Sequence, residues 1–278
     1  VIYDMWKKQG VRFDNAYSTT SWTAPAVASI MTSLYISEHG VGLENFTYAR
    51  LRDRFKTMPE LLSQRGYETA AFSLSFVDSP QFNYQQGSEV FFDLAFFQFY
   101  WNGDMKAARK ARKWFGKDRT RPFFAYFHLM NPHYPFSSGP FVYDESISKM
   151  KIYATENYIR SHLTNFYDIW RFPEPPFEKD EQQENRMLKD YDGEIKRTSN
   201  ALKEIFFELE NRGLMKNTLI IITADHGEEF NDHGKFYHGK NLYQETNRVP
   251  LIVAGEMIKE PGRKIECPVS LIDIMPTV

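Results

Sequence analysis

The chain has 278 residues, a formal net charge of −2, 42% hydrophobic residues and 25% charged residues. This composition is ordinary for a folded globular protein, and the small net charge gives no positive field for binding nucleic acid. No window of about 18 apolar residues exists to span a bilayer, so we expect no membrane segment in this stretch. The single cysteine, Cys267, cannot form an internal disulfide and so does not indicate a compartment.

The first pattern along the chain is a short strand that leads into a helix. Residues 11–17 alternate between apolar and polar side chains, which predicts a strand with one buried face. Residues 23–34 predict a helix with Thr23 as its N-cap and Pro25 in its first turn. The positive end of a helix dipole favours an alkoxide nucleophile and binds anionic oxygens, but a threonine there is also an ordinary cap. The residues alone leave both interpretations of Thr23 open.

A helix and a buried strand follow, in the order expected of a parallel sheet. Residues 59–65 predict a helix that ends at Gly66, and residues 67–74 predict the strand. Such a step is typical of βαβ architecture. Residues 105–114 predict a basic helix whose charges spread around it, which indicates a solvated face.

A second strand, at residues 122–129, runs into a stiff polar turn around His133. The turn carries Pro132 and Pro135 on either side of Tyr134 and His133, which holds the imidazole rigidly. A rigid histidine suits contact with a substrate, but it is equally compatible with a plain loop. His128 lies within the strand and is predicted to be packed and hydrogen bonded.

The apolar residues of 141–186 recur at neither helical nor strand spacing. They contain three prolines and many aromatic residues, which indicates an insertion with short helices that covers the site and selects the substrate. From Met187 onward, apolar residues recur at helical spacing up to Gly213. The sequence therefore predicts a long amphipathic helix packed on the sheet.

The polar loop between two apolar runs, residues 218–223 and 249–254, is the strongest candidate for a site. Asp225 and His226 follow the first run, and open α/β sheets bind ligands beyond the carboxyl ends of their strands. An adjacent carboxylate and imidazole are metal ligands, and the loop continues with further metal-binding or anion-binding residues. These are His233, His238 and Lys240. Taken alone, Asp-His-Gly could also be a turn in which Gly227 takes a positive φ.

The order of motifs resembles the sulfatase family within the alkaline phosphatase superfamily. The C-terminal signature is Asp-His-Gly-Glu, His-Gly, Gly-Lys, Leu-Tyr-Gln-Glu and Arg-Val-Pro-Leu over residues 225–251. Residues 23–41 resemble the nucleophile motif of that family, and Pro-His-Tyr-Pro at residues 132–135 resembles its Pro-His-x-Pro. The resemblance implies an α/β fold of the alkaline-phosphatase and sulfatase type, a three-layer sandwich with a mixed, mainly parallel sheet, and one catalytic domain over residues 1–278.

The resemblance also assigns roles to individual residues. It implies that Thr23 is the nucleophile, and that one divalent metal ion (Mn, Zn, Mg or Ca) is held by Asp225, His226 and Thr23. It implies that Lys240, with His133 or His238, stabilises charge on the anion or protonates the leaving group. Family members carry two further metal-binding aspartates at the end of a first strand, and nothing in this sequence matches them. We therefore expect a fragment that lacks the first strand and the C-terminal part of the domain.

Three departures from the family pattern bear on the chemistry. Sulfatases oxidise a cysteine or serine at the nucleophile position to formylglycine, whereas Thr23 cannot yield that aldehyde. Val27 stands where sulfatases carry an arginine that steadies the formylglycine, and residues 75–86 lack the lysine and histidine that contact sulfate. Threonine at this position is similar to the nucleophile of phosphate-transferring relatives such as phosphonoacetate hydrolase and lipoteichoic acid transferases. No formylglycine is expected.

The sequence predicts a metal-dependent hydrolase or transferase of sulfate or phosphate esters, with Thr23 favouring phosphoester, phosphonate or phosphoryl-transfer chemistry. The expected substrate is a small-molecule, glycan or lipid ester, with no nucleic acid partner. A true sulfuric ester hydrolase and a catalytically silent sulfatase-like binding protein are the two alternatives. The sequence leaves the compartment open, and the resemblance favours an extracytoplasmic one.

Overall fold

The computed structural model describes residues 7–42, 50–95, 102–133, 136 and 181–278. The strands, numbered in chain order, are β1 (Gly10–Tyr17), β2 (Glu68–Ser73), β3 (Val90–Asp93), β4 (Phe123–His128), β5 (Ile220–Thr223), β6 (Glu229–Phe230), β7 (Phe236–Tyr237), β8 (Arg248–Ala254), β9 (Lys264–Ile265) and β10 (Val269–Ser270). The helices are α1 (Thr23–Thr32), α2 (Ile36–His39), α3 (Met58–Gln64), α4 (Gly103–Phe115), α5 (Glu181–Asn211), α6 (Gln244–Asn247) and α7 (Ile274–Thr277). Within these ranges, none of the helices is long and apolar enough to cross a bilayer.

The strands form a mixed five-stranded sheet, a parallel three-stranded sheet and a small hairpin. The five-stranded sheet has the order β10-β1-β8-β5, with β9 also paired to β1. Strand β8 runs antiparallel to both β1 and β5, so β1 and β5 run in the same direction. The second sheet, β3-β2-β4, is wholly parallel, and β6 pairs with β7. The predicted α/β architecture is confirmed.

One apolar core joins the two larger sheets. Phe72 of β2 is fully buried and stacks between Phe92 of β3 and Phe127 of β4, with ring centroids 4.6 and 4.8 Å away. The same cluster contains residues of α4 and α5 together with Ile252 and Ala254 of β8. Burial of this shared apolar surface fixes the three-stranded sheet, the two helices and β8 as one unit.

Several predicted elements differ from the structure at their ends, and the two main differences concern the long helix and the start of α1. Helix α5 begins at Glu181, six residues before the predicted start at Met187, and it therefore includes the end of the predicted insertion. The rest of that insertion, residues 141–180, lies outside the described residues. The N-cap of α1 is Trp22 and not Thr23, so the predicted cap is wrong. Because Trp22 is already extended (φ −154°, ψ 157°), Thr23 becomes the first helical residue.

A buried histidine ties α1 to the chain that follows it. His39 is only 2% exposed, and its Nδ1 accepts a hydrogen bond from the backbone N–H of Val41 at 3.0 Å. Its Nε2 therefore carries the proton and donates to Ser29 Oγ, also at 3.0 Å, while Thr19 donates to the same oxygen. Burial lowers the pKa of His39 to about 4, so the folded protein holds this imidazole neutral.

This neutral histidine predicts an acid-dependent loss of stability. The pKa of His39 is depressed in the folded state, so its stabilising contribution is complete above the ordinary histidine pKa of 6.5 and is lost as the pH falls towards about 4. The full difference corresponds to about 3 kcal/mol. The free energy of unfolding, measured by urea unfolding at a series of pH values, should change less steeply with pH between these limits for His39→Gln than for the parent. Equal slopes for the two proteins would contradict the prediction.

Candidate active site

Strand direction brings the two ends of the candidate site to one edge of the sheet. Strands β1 and β5 both pair with β8 and run parallel to each other, so their carboxyl ends meet at the edge where β8 begins. Thr23 follows β1 at the start of α1, and Asp225 follows β5. As a result, Thr23 Oγ1 lies 3.2 Å from Nε2 of His226, although the two residues are 203 positions apart.

The side chain of His226 is oriented by its own loop. Its Nδ1 lies 2.8 Å from the carbonyl oxygen of Gly227, which can only accept a hydrogen bond. Nδ1 therefore carries the proton, and the lone pair of Nε2 faces Thr23 Oγ1 and Asp225 Oδ2, the latter 3.5 Å away. This tautomer is the one that a metal ligand requires.

The carboxylate of Asp225 contains a buried oxygen with no hydrogen-bond partner among the described residues. Such an oxygen is costly unless a positive group satisfies it. An aspartate oxygen, an imidazole nitrogen and a hydroxyl form a donor set that fits a divalent cation. In the described part of the chain, no group of three or more His, Cys, Asp or Glu residues is placed to hold a metal ion.

The charges around these residues favour the ionisation states that cation binding needs. Burial alone would raise the pKa of Asp225, but His226, His128 and the Thr23 hydroxyl together lower it to about 2. Burial lowers the pKa of His226. At neutral pH the pair therefore consists of a carboxylate and a neutral imidazole.

Two further histidines form a row with His226. The ring centroid of His238 lies 4.1 Å from that of His226 and 5.2 Å from that of His133. The Nδ1 of His238 also lies 2.9 Å from Oε1 of Glu228, a buried residue that sequence reasoning did not single out. The signal was present in the sequence, because Glu228 is the fourth residue of Asp-His-Gly-Glu. Burial raises the pKa of Glu228 to about 7 and lowers that of His238.

The turn that carries His133 is held by a buried carboxylate of α4. Asp104 Oδ1 accepts hydrogen bonds from the backbone N–H groups of Met130 and Asn131, at 2.8 and 3.2 Å. Its other oxygen accepts from Thr198 of α5 at 2.6 Å. This network fixes the end of β4 from two helices and so sets where the turn begins.

The other two candidates, Lys240 and His233, are exposed. The neighbour of Lys240, Gly239, lies close to Trp22, and a Cβ atom added at Gly239 would be 3.7 Å from the Cβ of Trp22. The backbone of Lys240 is therefore close to the start of α1. His233 is also exposed, stacks on Tyr243 with ring centroids 3.7 Å apart and contacts Glu245. It does not join the row of histidines.

Comparison with known proteins identifies the family. The model of the sulfatase family matches residues 2–278. The chain belongs to the sulfatase family. It is 26% identical to arylsulfatase K of Canis lupus familiaris over 99% of this chain and 57% of the relative. It is 27% identical to the low-salt glycan biosynthesis sulfotransferase Agl7 of Haloferax volcanii over 92% of this chain and 51% of the relative. The chain thus spans just over half the length of these curated relatives.

Solved structures show the same fold. A protein in complex with its substrate D-glucosamine-2-N,6-O-disulfate aligns with a TM-score of 0.72 and 17% identity, covering 99% of this chain and 70% of that one. The phosphonate monoester hydrolase of Agrobacterium radiobacter aligns with a TM-score of 0.70 and 19% identity, covering 99% and 67%. At this identity the likeness establishes the fold alone, which agrees with the predicted alkaline-phosphatase type.

In this sulfatase-family chain, residues 75–86 contribute a buried ion pair that the sequence did not reveal. Asp78 is the only charged residue of that segment, and its Oδ2 lies 2.7 Å from Nδ1 of His128 on β4. Tyr126 donates to the same oxygen, and Ser73 donates to the other one. Burial alone would lower the pKa of His128, but Asp78 raises it to about 9. The predicted packed, hydrogen-bonded state of His128 is confirmed.

Gly227 is required by a close backbone contact and not by its backbone conformation. It is absent from the described glycines with positive φ, so the positive-φ turn considered for the sequence is wrong. Its N–H donates to the carbonyl of Thr246 at 2.9 Å, and a Cβ at this position would lie 2.0 Å from the carbonyl oxygen of Glu245. Any side chain at residue 227 would push the loop that carries Asp225 and His226 away from the segment before β8.

Replacing Gly227 by alanine should therefore damage the site. We expect Gly227→Ala to lower the free energy of unfolding by about 1–3 kcal/mol through overpacking, and to reduce turnover, because Asp225 and His226 move with the loop. Urea unfolding and ester hydrolysis measure the two effects. Gly116→Ala is the matched control, since its Cβ would meet the flexible end of Arg212 at 3.1 Å. Parent-like stability of Gly227→Ala would refute the steric argument.

Proposed function

We propose that the chain is the catalytic part of a metal-dependent enzyme that cleaves sulfate or phosphate esters with Thr23 as the nucleophile. The chemistry favoured by Thr23 is hydrolysis of phosphoesters or phosphonates, or phosphoryl transfer. The observation that supports this proposal is the 3.2 Å contact between Thr23 Oγ1 and His226 Nε2, beside the unpartnered oxygen of Asp225. A hydroxyl, an imidazole and an unsatisfied carboxylate would otherwise be a costly combination to bury.

The position of Thr23 suits attack on an anionic ester. Its hydroxyl lies on the first residue of α1, where backbone N–H groups of the first turn lack helical partners and bind anionic oxygens. Threonine cannot be oxidised to formylglycine, so attack by the hydroxyl itself is the available route. Val27 agrees with this chemistry, because it is 1% exposed and packs in the apolar cluster of α1 with Val41 and Leu51. The arginine that would steady a formylglycine therefore has no counterpart at this position.

The cation implied by the family would be held by Asp225, His226 and Thr23. When bound, it would polarise the ester oxygen and lower the proton affinity of the Thr23 hydroxyl. A carboxylate beside an imidazole suits manganese, zinc or magnesium better than the all-oxygen coordination typical of calcium.

Side chains of the site would carry out nucleophilic attack, protonation of the leaving oxygen and stabilisation of the anionic oxygens. The Thr23 hydroxyl releases its proton to solvent as Oγ1 attacks the phosphorus in line; a bond forms between that oxygen and phosphorus, and the bond to the leaving oxygen breaks and leaves its electron pair on that oxygen. His238 or His133 gives a proton to the leaving oxygen, and Lys240 stabilises the anionic oxygens. Water, or an acceptor alcohol in a transferase, then attacks the covalent intermediate and releases Thr23.

A true sulfatase is the second candidate, favoured by the identity of the relatives. It would require a formylglycine derived from serine or cysteine, and Ser21 is two residues from the nucleophile position. Mass spectrometry of the peptide that contains residues 18–23 distinguishes the two, because formylglycine there would support the sulfatase. A silent binding protein is the third, but the convergence of Thr23, Asp225 and His226 argues against decay of the site.

Substitution of the nucleophile tests the main proposal. Thr23→Ala should lower turnover by more than about 10³-fold without unfolding the protein, because alanine lacks the hydroxyl that forms the covalent intermediate. Thr23→Ser keeps the hydroxyl and should retain activity. The assay uses 4-nitrophenyl sulfate, a phosphate monoester, a phosphodiester and a phosphonate ester. Thr32→Val is the control, since Thr32 lies at the far end of α1 and donates only to Ala28 within the helix. Normal turnover by Thr23→Ala would rule out the role.

The donor set predicts weak metal binding by this chain. Asp225, His226 and Thr23 supply three donors, fewer than the four to six that divalent ions normally take. Isothermal titration with Mn²⁺ should therefore give weak binding to the parent and no detectable binding to Asp225→Asn. Tight one-to-one binding, or equal binding by the variant, would contradict this assignment.

A further inference from the structure

The first turn of α1 is not capped by a side chain of its own N-cap. Trp22 is the N-cap residue, and its side chain makes no capping hydrogen bond. Pro25 has no N–H group, and the first helical bond, from the N–H of Ala26 to the carbonyl oxygen of Trp22, is long at 3.4 Å. The N–H groups of Thr23 and Ala24 have no helical partners, as an anion-binding turn requires. The turn therefore needs a contact from another part of the chain to hold it in place.

Tyr84 makes such a contact from the carbonyl side of the turn. Its phenol oxygen donates a hydrogen bond to the carbonyl oxygen of Ala24 at 2.5 Å, and Ala24 directly follows Thr23. A carbonyl oxygen has two lone pairs, so it can accept from Tyr84 and from the helix at the same time. The contact thereby fixes the turn without occupying the N–H groups that would bind an anion.

The side chain of Tyr84 is itself held by its surroundings. It is 8% exposed and lies in the apolar cluster of α1, together with Leu51. The neighbouring Asn83 donates from Nδ2 to the carbonyl oxygen of Leu51 at 2.8 Å. Earlier in the same segment, Asp78 pairs with His128 at the end of β4. The segment that carries Tyr84 thus connects the first turn of α1 to β4.

We propose that Tyr84 is a positioning residue that fixes the first turn of α1, and with it the hydroxyl of Thr23, for in-line attack on the ester. This inference rests on the proposed function. Residues 75–86 then contribute to catalysis by holding the nucleophile and not by contacting the anion, which agrees with their lack of lysine and histidine. Displacement of a reacting group by about 1 Å can cost about 100-fold in rate, so a contact one residue from the nucleophile has a measurable effect.

Removal of a single hydroxyl tests this role. Tyr84→Phe keeps the ring in the apolar cluster and removes only the atom that contacts Ala24. We expect kcat to fall about 10–100-fold with a much smaller change in KM, because Thr23 acts in the chemical step while other groups bind the ester. The substrates are 4-nitrophenyl sulfate, a phosphate monoester, a phosphodiester and a phosphonate ester. Circular dichroism establishes that the variant is folded under the assay conditions.

Thr69→Val is the matched control for loss of a buried hydroxyl. Thr69 lies in β2, is 1% exposed and donates to the carbonyl oxygen of Gly87 at 2.7 Å, so it makes the same kind of bond as Tyr84. Its other described hydrogen bond is to the N–H of Glu89, and neither partner belongs to α1. Thr69→Val should therefore lose stability and keep the kcat of the parent. An equal loss of kcat in Thr69→Val and Tyr84→Phe would indicate a general structural effect and overturn the inference.

Amide hydrogen exchange supplies a readout that does not depend on turnover. We expect the N–H of Ala26 to exchange about 10-fold faster in Tyr84→Phe than in the parent, the effect of losing one hydrogen bond, while the N–H of Ile30 in the middle of α1 changes less. Unchanged exchange at Ala26, equal acceleration of both amides, or a parent-like kcat in Tyr84→Phe would overturn the inference while leaving the proposed function intact. A parent inactive on every sulfate, phosphate and phosphonate ester would overturn the proposed function and this inference with it.

Discussion

The pairing of β8 with both β1 and β5 is the constraint on which the candidate site depends. Because β8 is antiparallel to each neighbour, β1 and β5 are forced to run parallel and to end at one edge of the sheet. The chain after β1 then enters α1 at Thr23, and the chain after β5 delivers Asp225 and His226. The 3.2 Å contact between Thr23 Oγ1 and His226 Nε2, across 203 positions, is a consequence of strand direction. The close approach of Gly227 to the backbone of Glu245 holds the loop that carries His226.

The site concentrates buried polar groups that the surrounding structure holds individually. Asp104 fixes the end of β4, Asp78 pairs with His128, and Glu228 pairs with His238. Each of these carboxylates has a partner, so each recovers part of the free energy that burial costs. The Oδ2 oxygen of Asp225 is different, since no described residue donates a hydrogen bond to it. Among the described residues, the surrounding carboxylates therefore have hydrogen-bond partners, whereas the Asp225 oxygen beside the proposed cation position does not.

The family and the residues of the site carry different information about chemistry. Membership of the sulfatase family establishes the fold, and structures with this fold include both a protein with a disulfated sugar substrate and a phosphonate monoester hydrolase. The fold thus permits more than one kind of ester. We propose that Thr23, Val27 and the absence of lysine and histidine from residues 75–86 favour phosphoester or phosphonate chemistry.

The sequence by itself determined the main helices and the five longer predicted strands and the positions of the main candidates, because hydrophobic period and motif spacing are local properties of the chain. These local patterns predicted both Thr23 at the start of a helix and Asp225 at the end of a strand. Only the tertiary structure showed that Thr23 is the first helical residue, that Gly227 serves a close contact, and that Glu228 faces His238. The Asp78–His128 pair, separated by 50 positions, was likewise decided by packing. A local pattern states which way a side chain points along its own element, whereas its partner depends on the strand register and packing of distant segments.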